Sequence, residues 1–227
     1  MSPLTDPSSF IGIYNKMSVS SEKLTPEKFD YYKNAINYSR NIGGIHFIFV
    51  NIWPDSSNLI WMENDLKTVD PNTPVMIFTH DPPEGDPHHF SGAVHDSSHL
   101  WGNKYENLLV EKLKDEPKDS VLTNQYEQRQ FVQFLKKHPN IKAYFHGHEN
   151  YTEFYSYTGV DNDINIPVFR VDSPMKGNLS KKNETDLAYE IIDIDTHNRQ
   201  LTVRECLWNT NKKKGDVKWG KSKTINY

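Results

Sequence analysis

Two stretches decide how this chain folds: Pro74-Val75-Met76-Ile77-Phe78-Thr79-His80-Asp81-Pro82-Pro83 and Ile141-Lys142-Ala143-Tyr144-Phe145-His146-Gly147-His148-Glu149-Asn150. Each is a short apolar, β-prone run that reaches histidine just where turn residues begin. Each therefore reads as a buried strand delivering an imidazole to a strand–loop junction. In open α/β sheets ligands bind outside the carboxyl ends of the strands, where loops converge on a rigid edge. Imidazole is the commonest protein metal ligand, and Gly147 offers a sharp turn that would aim flanking side chains at one cation. A single histidine at a strand end is ordinarily a hydrogen-bonded structural residue. Two in matching contexts make His80 and His148 candidates for one site.

Upstream, Tyr38-Ser39-Arg40 and Ile45-His46-Phe47-Ile48-Phe49-Val50 flank Asn41-Ile42-Gly43-Gly44, which predicts a hairpin. The second run is nearly all apolar, the pattern of a strand covered on both faces in a layered sandwich. Ile60, Trp61 and Leu66 among polar neighbours predict a short amphipathic helix over 58–66. Asn124-x-x-Glu127 ahead of Phe131, Val132, Phe134 and Leu135 predicts a capping box and a helix reaching Lys137. Residues 168–171, 188–195 and 201–206 read as further strands, the last two joined by a hairpin at Thr196-His197-Asn198-Arg199. Residues 1–24 read as loop, and Thr25-Pro26-Glu27 as a helix start running to Asn34. Residues 81–105 read as a long loop carrying His88, His89, His95 and His99, and Lys212 to Lys223 as a solvated tail. The expected divisions are an N-terminal remnant (1–37), a domain (38–206) and a Lys-rich tail (207–227).

The 227 residues, with 26 Lys+Arg, 30 Asp+Glu and 36% hydrophobic content, suffice for one domain with a substantial core. No apolar run nears the roughly 18 residues that cross a bilayer, so membrane insertion is not expected. The lone Cys206 forms no internal disulfide, and the first ten residues lack the basic and apolar regions of a signal peptide. The net charge of −4, without an aromatic platform motif, speaks against nucleic-acid binding through Lys212 to Lys223. Twelve Tyr and five Trp keep a β-rich carbohydrate-binding module open as another class, although aromatics at that density more commonly serve packing. The sequons at Asn37, Asn178 and Asn183 carry meaning only with secretion.

In order and spacing, Tyr38-Ser39 before Gly43-Gly44-Ile45-His46-Phe47, then Ile60 to Leu66, Val75 to Pro83 and Phe145 to Asn150 form a set. That set resembles the C-terminal half of a calcineurin-like metallophosphoesterase, the group that includes the purple acid phosphatases. The resemblance implies an α/β fold: a partial four-layer α/β/β/α sandwich lacking its N-terminal portion. It also implies a two-metal centre of Mn, Fe or Zn at the sandwich edge. The family's five ligand motifs run Asp-x-His, Gly-Asp, Gly-Asn-His-Asp/Glu, a lone His after a strand, and Gly-His-x-His. His80 matches the fourth. Gly147-His148-Glu149-Asn150 matches the fifth with Asn150 in place of the final histidine, so the implied metal ligands are His80, His148 and Asn150. The 37 residues before Tyr38 spell none of the first three motifs and hold no histidine. Asp86-Pro87-His88 and Asp195-Thr196-His197 spell the first motif, one in the long loop and one at a hairpin turn.

Two dications about 3.5–4 Å apart repel strongly and need carboxylates to hold them, which neutral imidazoles and an amide do not replace. The expectation is thus the C-terminal portion of a phosphate-ester hydrolase whose acidic ligands belong to a missing N-terminal portion. Export of the complete parent is an expectation of the resemblance, as many relatives are exported, and the 81–105 loop would border the substrate. A non-catalytic remnant that keeps the fold without tight metal binding is the rival within the same resemblance.

Overall fold

Gly43 and Gly44 set the first edge of the fold. Both lie in the left-handed region, at φ 58° and 77°, as a two-residue hairpin turn requires. In the computed structural model, which describes residues 10–17, 23–25, 28, 36–86, 125–173, 187–208 and 215–227, they join β1 (Tyr38–Ile42) to β2 (Ile45–Phe49) in antiparallel register. Strand β1 runs through Ile42, so the turn is two residues rather than the four expected. The chain then forms helix α2 (Ser56–Leu66), β3 (Val75–Phe78), helix α3 (Gln125–Lys137) and β4 (Ile141–His146). After these come β5 (Glu153–Tyr157), β6 (Ile166–Arg170), β7 (Leu187–Asp195), β8 (Gln200–Trp208) and β9 (Val217–Asn226).

The strands make a six-stranded sheet in the order β1-β2-β3-β4-β6-β5 and a three-stranded sheet in the order β7-β8-β9. The centre of the larger sheet, β2-β3-β4-β6, is parallel; β1 and β5 close its two edges in antiparallel fashion. Alternation along β2 and β3 supplies both faces. Ile48, Val50, Val75 and Ile77 pack with Met62 of α2 and Phe131 of α3. Ile45, Phe47 and Met76 pack on Leu201, Val203 and Ile225 of the smaller sheet. The fold is therefore mixed α/β, and its described residues build three layers: helices, large sheet, small sheet. A fourth layer outside the small sheet, implied by the resemblance, is not formed among the described residues.

One row of aromatics crosses the whole large sheet. Tyr38, Phe49, Phe78, Phe145, Phe169 and Phe154 are successive cross-strand partners on β1, β2, β3, β4, β6 and β5. Their rings follow one another at centroid separations of 4.5, 5.0, 4.4, 4.9 and 5.1 Å. The row lies at the last residue of β3 and one residue before the carboxyl end of β4, and it holds those strands in register.

Several elements differ from the sequence reading. Residues 10–17 form a helix, α1 (Phe10–Met17), where loop was expected; the Asn15 side-chain amide holds Leu24 against it, its nitrogen donating to Leu24 O and its oxygen accepting from Leu24 N. The helix expected from Thr25 falls largely outside the described residues. Asn124, the other half of the expected capping box, lies outside the described residues. Glu127 is wholly buried, and its carboxylate accepts from Ser56 N (2.8 Å) at the start of α2. There it joins Asp55, which accepts from Asn58 N (2.9 Å), in satisfying that helix's first amides. Strand β5 had no counterpart in the sequence reading. The Lys-rich segment expected as a solvated tail contains β9, whose Ile225 enters the core beneath β8. Its lysines suit an edge strand, where charge discourages pairing with another chain. No described helix is long and apolar enough to cross a membrane.

Candidate metal site

Parallel pairing of β3 with β4 brings the two predicted histidines together. Phe78 lies opposite Phe145, and the ladder continues past both strand ends: Thr79 N donates to Phe145 O (3.0 Å) and Gly147 N to His80 O (3.1 Å). His80 thus stands beside Gly147, and His148 follows directly. Their rings meet edge to face at 4.9 Å, with His80 Nε2 3.0 Å from His148 Nδ1. Gly147, where a sharp turn was expected, is not itself left-handed; His148 and Asn150 are, at φ 69° and 56°, a conformation that costs side-chain-bearing residues energy and is retained where surroundings enforce it.

Two carboxylates that the sequence reading did not place in the site complete the cluster. Asp81, fully buried, puts Oδ1 3.7 Å from His148 Nδ1 and 4.0 Å from His80 Nε2. Asp86 accepts a short hydrogen bond from His148 Nε2. Through that bond above all, and against the effect of burial, the His148 imidazole is held above its ordinary pKa. Asp86 belongs to the Asp86-Pro87-His88 triplet that spells the first motif within the expected long loop. The signal that could have placed it is the turn signature Pro82-Pro83-Glu84-Gly85: Gly85, at φ 72°, donates to Pro82 O (2.7 Å), and the chain doubles back on the strand end.

The backbone beneath the cluster is fixed from several sides. Ile52 adopts φ 50°, a genuine outlier for a β-branched residue. Its carbonyl accepts from Thr79 Oγ1 (2.7 Å), Asp81 N (2.9 Å) and His80 N (3.3 Å). Tyr144 Oη donates to Asp81 O, and Trp53 Nε1 to Pro82 O, both at 2.9 Å. His146 is not part of the cluster. It is buried, with Nδ1 3.0 Å from Gly147 O and Nε2 3.1 Å from the Tyr155 hydroxyl, whose oxygen also lies 3.2 Å from a Glu84 carboxyl oxygen. Burial, reinforced by Arg170, pushes His146 down to about 3, so it stays neutral and structural.

Among the described residues, no hydrogen bond joins the Asn150 amide to His80 or His148. The decoy at Asp195 is a turn: its carboxylate accepts from His197 N and Asn198 N, both at 3.0 Å. His88, His89, His95 and His99 lie outside the described residues. Asn37, one of the sequon asparagines, uses its amide on Asn58 Oδ1 (2.7 Å) and on Asn51 N (3.0 Å).

His80, His148 and Asp81 offer two imidazole nitrogens and a carboxylate oxygen from one small volume, a donor set suited to Zn, Fe or Mn. No family model matches the chain, and no curated protein matches it. Among solved structures it is similar to a double mutant of Vps29 from Entamoeba histolytica, at 10% identity over 69% of this chain and 86% of that one, with a TM-score of 0.28. It is also similar to a single mutant of the same protein, at 9% identity over 79% and 99%, again with a TM-score of 0.28. Likenesses of that size carry no argument about what the chain does. The functional reading rests on its own residues.

Proposed function

We propose that this chain carries the histidine half of a metal-dependent phosphoesterase site, with His80, His148 and Asn150 as ligands to a divalent metal pair. The observation that carries the reading is the meeting of His80 and His148, 3.0 Å apart, at the carboxyl edge of adjacent parallel strands. The ordered set of motifs resembling metallophosphoesterases supports it. Bound divalent cations there would polarise a phosphoryl oxygen and offset the charge that develops during in-line displacement at phosphorus. The chain's own contribution is positional: Ile52, Tyr144 and Trp53 hold the His80–Pro82 backbone, and the β3–β4 ladder fixes His148 beside it. The Asp-bearing motifs that would hold both metals are not spelled in the 37 residues before Tyr38, where the resemblance would put them, which favours a second reading of metal binding without turnover.

Metal content and hydrolysis of an aryl phosphate monoester and diester, measured on the purified chain and on its His80→Ala and His148→Ala variants, test both. Turnover that falls with metal content in the variants supports the phosphoesterase. Metal without turnover supports the second reading, and hydrolysis unchanged in both variants refutes the assignment of these histidines.

A further inference from the structure

We infer that the outer face of the small sheet binds a neutral oligosaccharide through Tyr189, Trp208 and Trp219. That face shares no residue with the candidate metal site, so the inference stands apart from the phosphoesterase reading.

A bulge builds the face. Leu201 and Val203 of β8 point inward to the large sheet, so alternation turns Arg204, Cys206 and Trp208 outward. Tyr189 on β7 and Trp219 on β9 are the two cross-strand partners of Cys206, and Val217 is the partner of Trp208. Strict alternation counted back from the inward Ile225 would aim Trp219 and Val217 at the core side. The ladder shifts instead: Arg204 pairs with Ser222 and Cys206 with Trp219, so Glu205 alone faces both Gly220 and Lys221. Two residues against one is a β-bulge, and bulges re-aim side chains. Glu205 secures it by accepting from Lys221 N (3.1 Å), and its carboxylate fills the space that a side chain at position 220 would need, where a Cβ would collide with it. The chain thus turns an indole and a valine to solvent by a dedicated local structure.

Three aromatic side chains, each 38–49% exposed, then stand on three adjacent strands. Exposed apolar surface of this kind marks an interaction site, and its chemistry selects the partner. A packed polypeptide layer meets aliphatic side chains, as the inner face of this same sheet shows. The outer face instead sets its rings beside polar rows, Thr202 with Thr224 (Oγ1 to Oγ1, 2.8 Å) and Gln200 with Asn226 (3.1 Å). Sugars are amphipathic in the same way: ring C–H groups stack on the electron-rich face of an aromatic, while hydroxyls donate and accept at the rim. Charge on the face points to a neutral ligand. Among the described outward residues, Arg204 donates to Asp193 Oδ2 through Nε (2.9 Å) and Nη2 (2.5 Å), and the Asp195 carboxylate is held by its own turn. The Arg204 guanidinium also lies 4.5 Å from the centre of the Trp219 ring and fixes the plane of that indole. Tyr189 and Trp219 belong to strands two ladder spacings apart, about 9–10 Å, so an oligomer rather than a monosaccharide is needed to touch both.

The test is a glycan array of neutral hexose and N-acetylhexosamine oligomers, with heparin fragments and sialylated glycans as anionic controls, probed with the whole chain and its variants. Binding to neutral oligomers is expected, about tenfold weaker in Tyr189→Ala and in Trp219→Ala and largely kept in Trp219→Phe. Urea midpoints verify that the variants fold. A second reading needs no variant: in the wild-type chain a bound oligomer should shift the indole N–H resonances of Trp208 and Trp219 and leave that of the buried Trp53 in place. No binding to any neutral glycan, binding confined to the anionic controls, or unchanged affinity in folded Trp219→Ala would each overturn the inference. So would sedimentation showing that the face pairs two copies of the chain, with the dimer lost in Trp219→Ala.

Discussion

Truncating Phe145 should destabilise the chain more than truncating any other ring of the aromatic row. Phe145 is 3% exposed and lies nearly parallel to Phe78 (4.4 Å, 2°) on one side and to Phe169 (4.9 Å, 18°) on the other. Phe145→Ala loses the burial of a phenyl ring and leaves a cavity between two well-packed neighbours, about 3–5 kcal/mol. Phe145→Leu keeps most of the burial but loses both stacking partners, at about 0.5–1.5 kcal/mol each. Phe154 sits on the edge strand β5, is only partly buried and makes one edge-on ring contact in the row, at 5.1 Å, so Phe154→Ala should cost about 1–2 kcal/mol. A domain is typically stable by about 5–15 kcal/mol, so the central truncation removes a large share. Urea unfolding followed by tryptophan fluorescence, to which the fully buried Trp53 contributes, measures all three. The reasoning fails if Phe145→Ala costs no more than Phe154→Ala, because cross-strand stacking would then not be what holds β3 and β4 in register.

Three other perturbations have defined outcomes. Burial, with the facing Glu205 on β8, raises Glu190 to about 8. The folded state therefore resists ionisation between roughly pH 4.5 and 8, stability falls as pH rises through that window, and Glu190→Gln should flatten the fall and stabilise the chain above pH 8 on the order of a few kcal/mol in pH-dependent urea melts. Glu127→Ala should cost about 1–3 kcal/mol, because it removes the side-chain acceptor of Ser56 N from a buried helix start, and thermal melts should show the loss. Burial acts to raise Asp65, yet hydrogen bonds from His46 and Ser39 outweigh it and leave the carboxyl lowered. Its contribution is present above the ordinary carboxylate range and lost on acidification, so Asp65→Asn should weaken the acid dependence of stability below pH 4.

The local order of the chain was legible where one short segment carried its own information. Apolar runs ending in turn residues gave β2, β3 and β4, and Thr196-His197-Asn198-Arg199 gave the β7–β8 hairpin, because burial and turn chemistry act over a few neighbours. Strand β9 was not legible. Its outward lysines are what an edge strand and a solvated tail have in common, and only pairing with β8 separates the two. Strand β5 is likewise decided by a partner, β6, that follows it in the chain.

For the candidate site the division is the same. That His80 and His148 end apolar strands is written in the residues on either side of each. That their nitrogens lie 3.0 Å apart follows from β3 and β4 being parallel neighbours, a relation between segments more than 60 residues apart. The places of Asp81 and Asp86 were invisible for a different reason. A carboxylate's role depends on which groups it faces, and here that is set by the Pro82–Gly85 turn, the strained carbonyl of Ile52 and the left-handed backbone of His148. Sequence determined which side chains stand at the strand ends; tertiary structure decided which of them share one cation-sized space, because distance between remote segments is fixed only by packing.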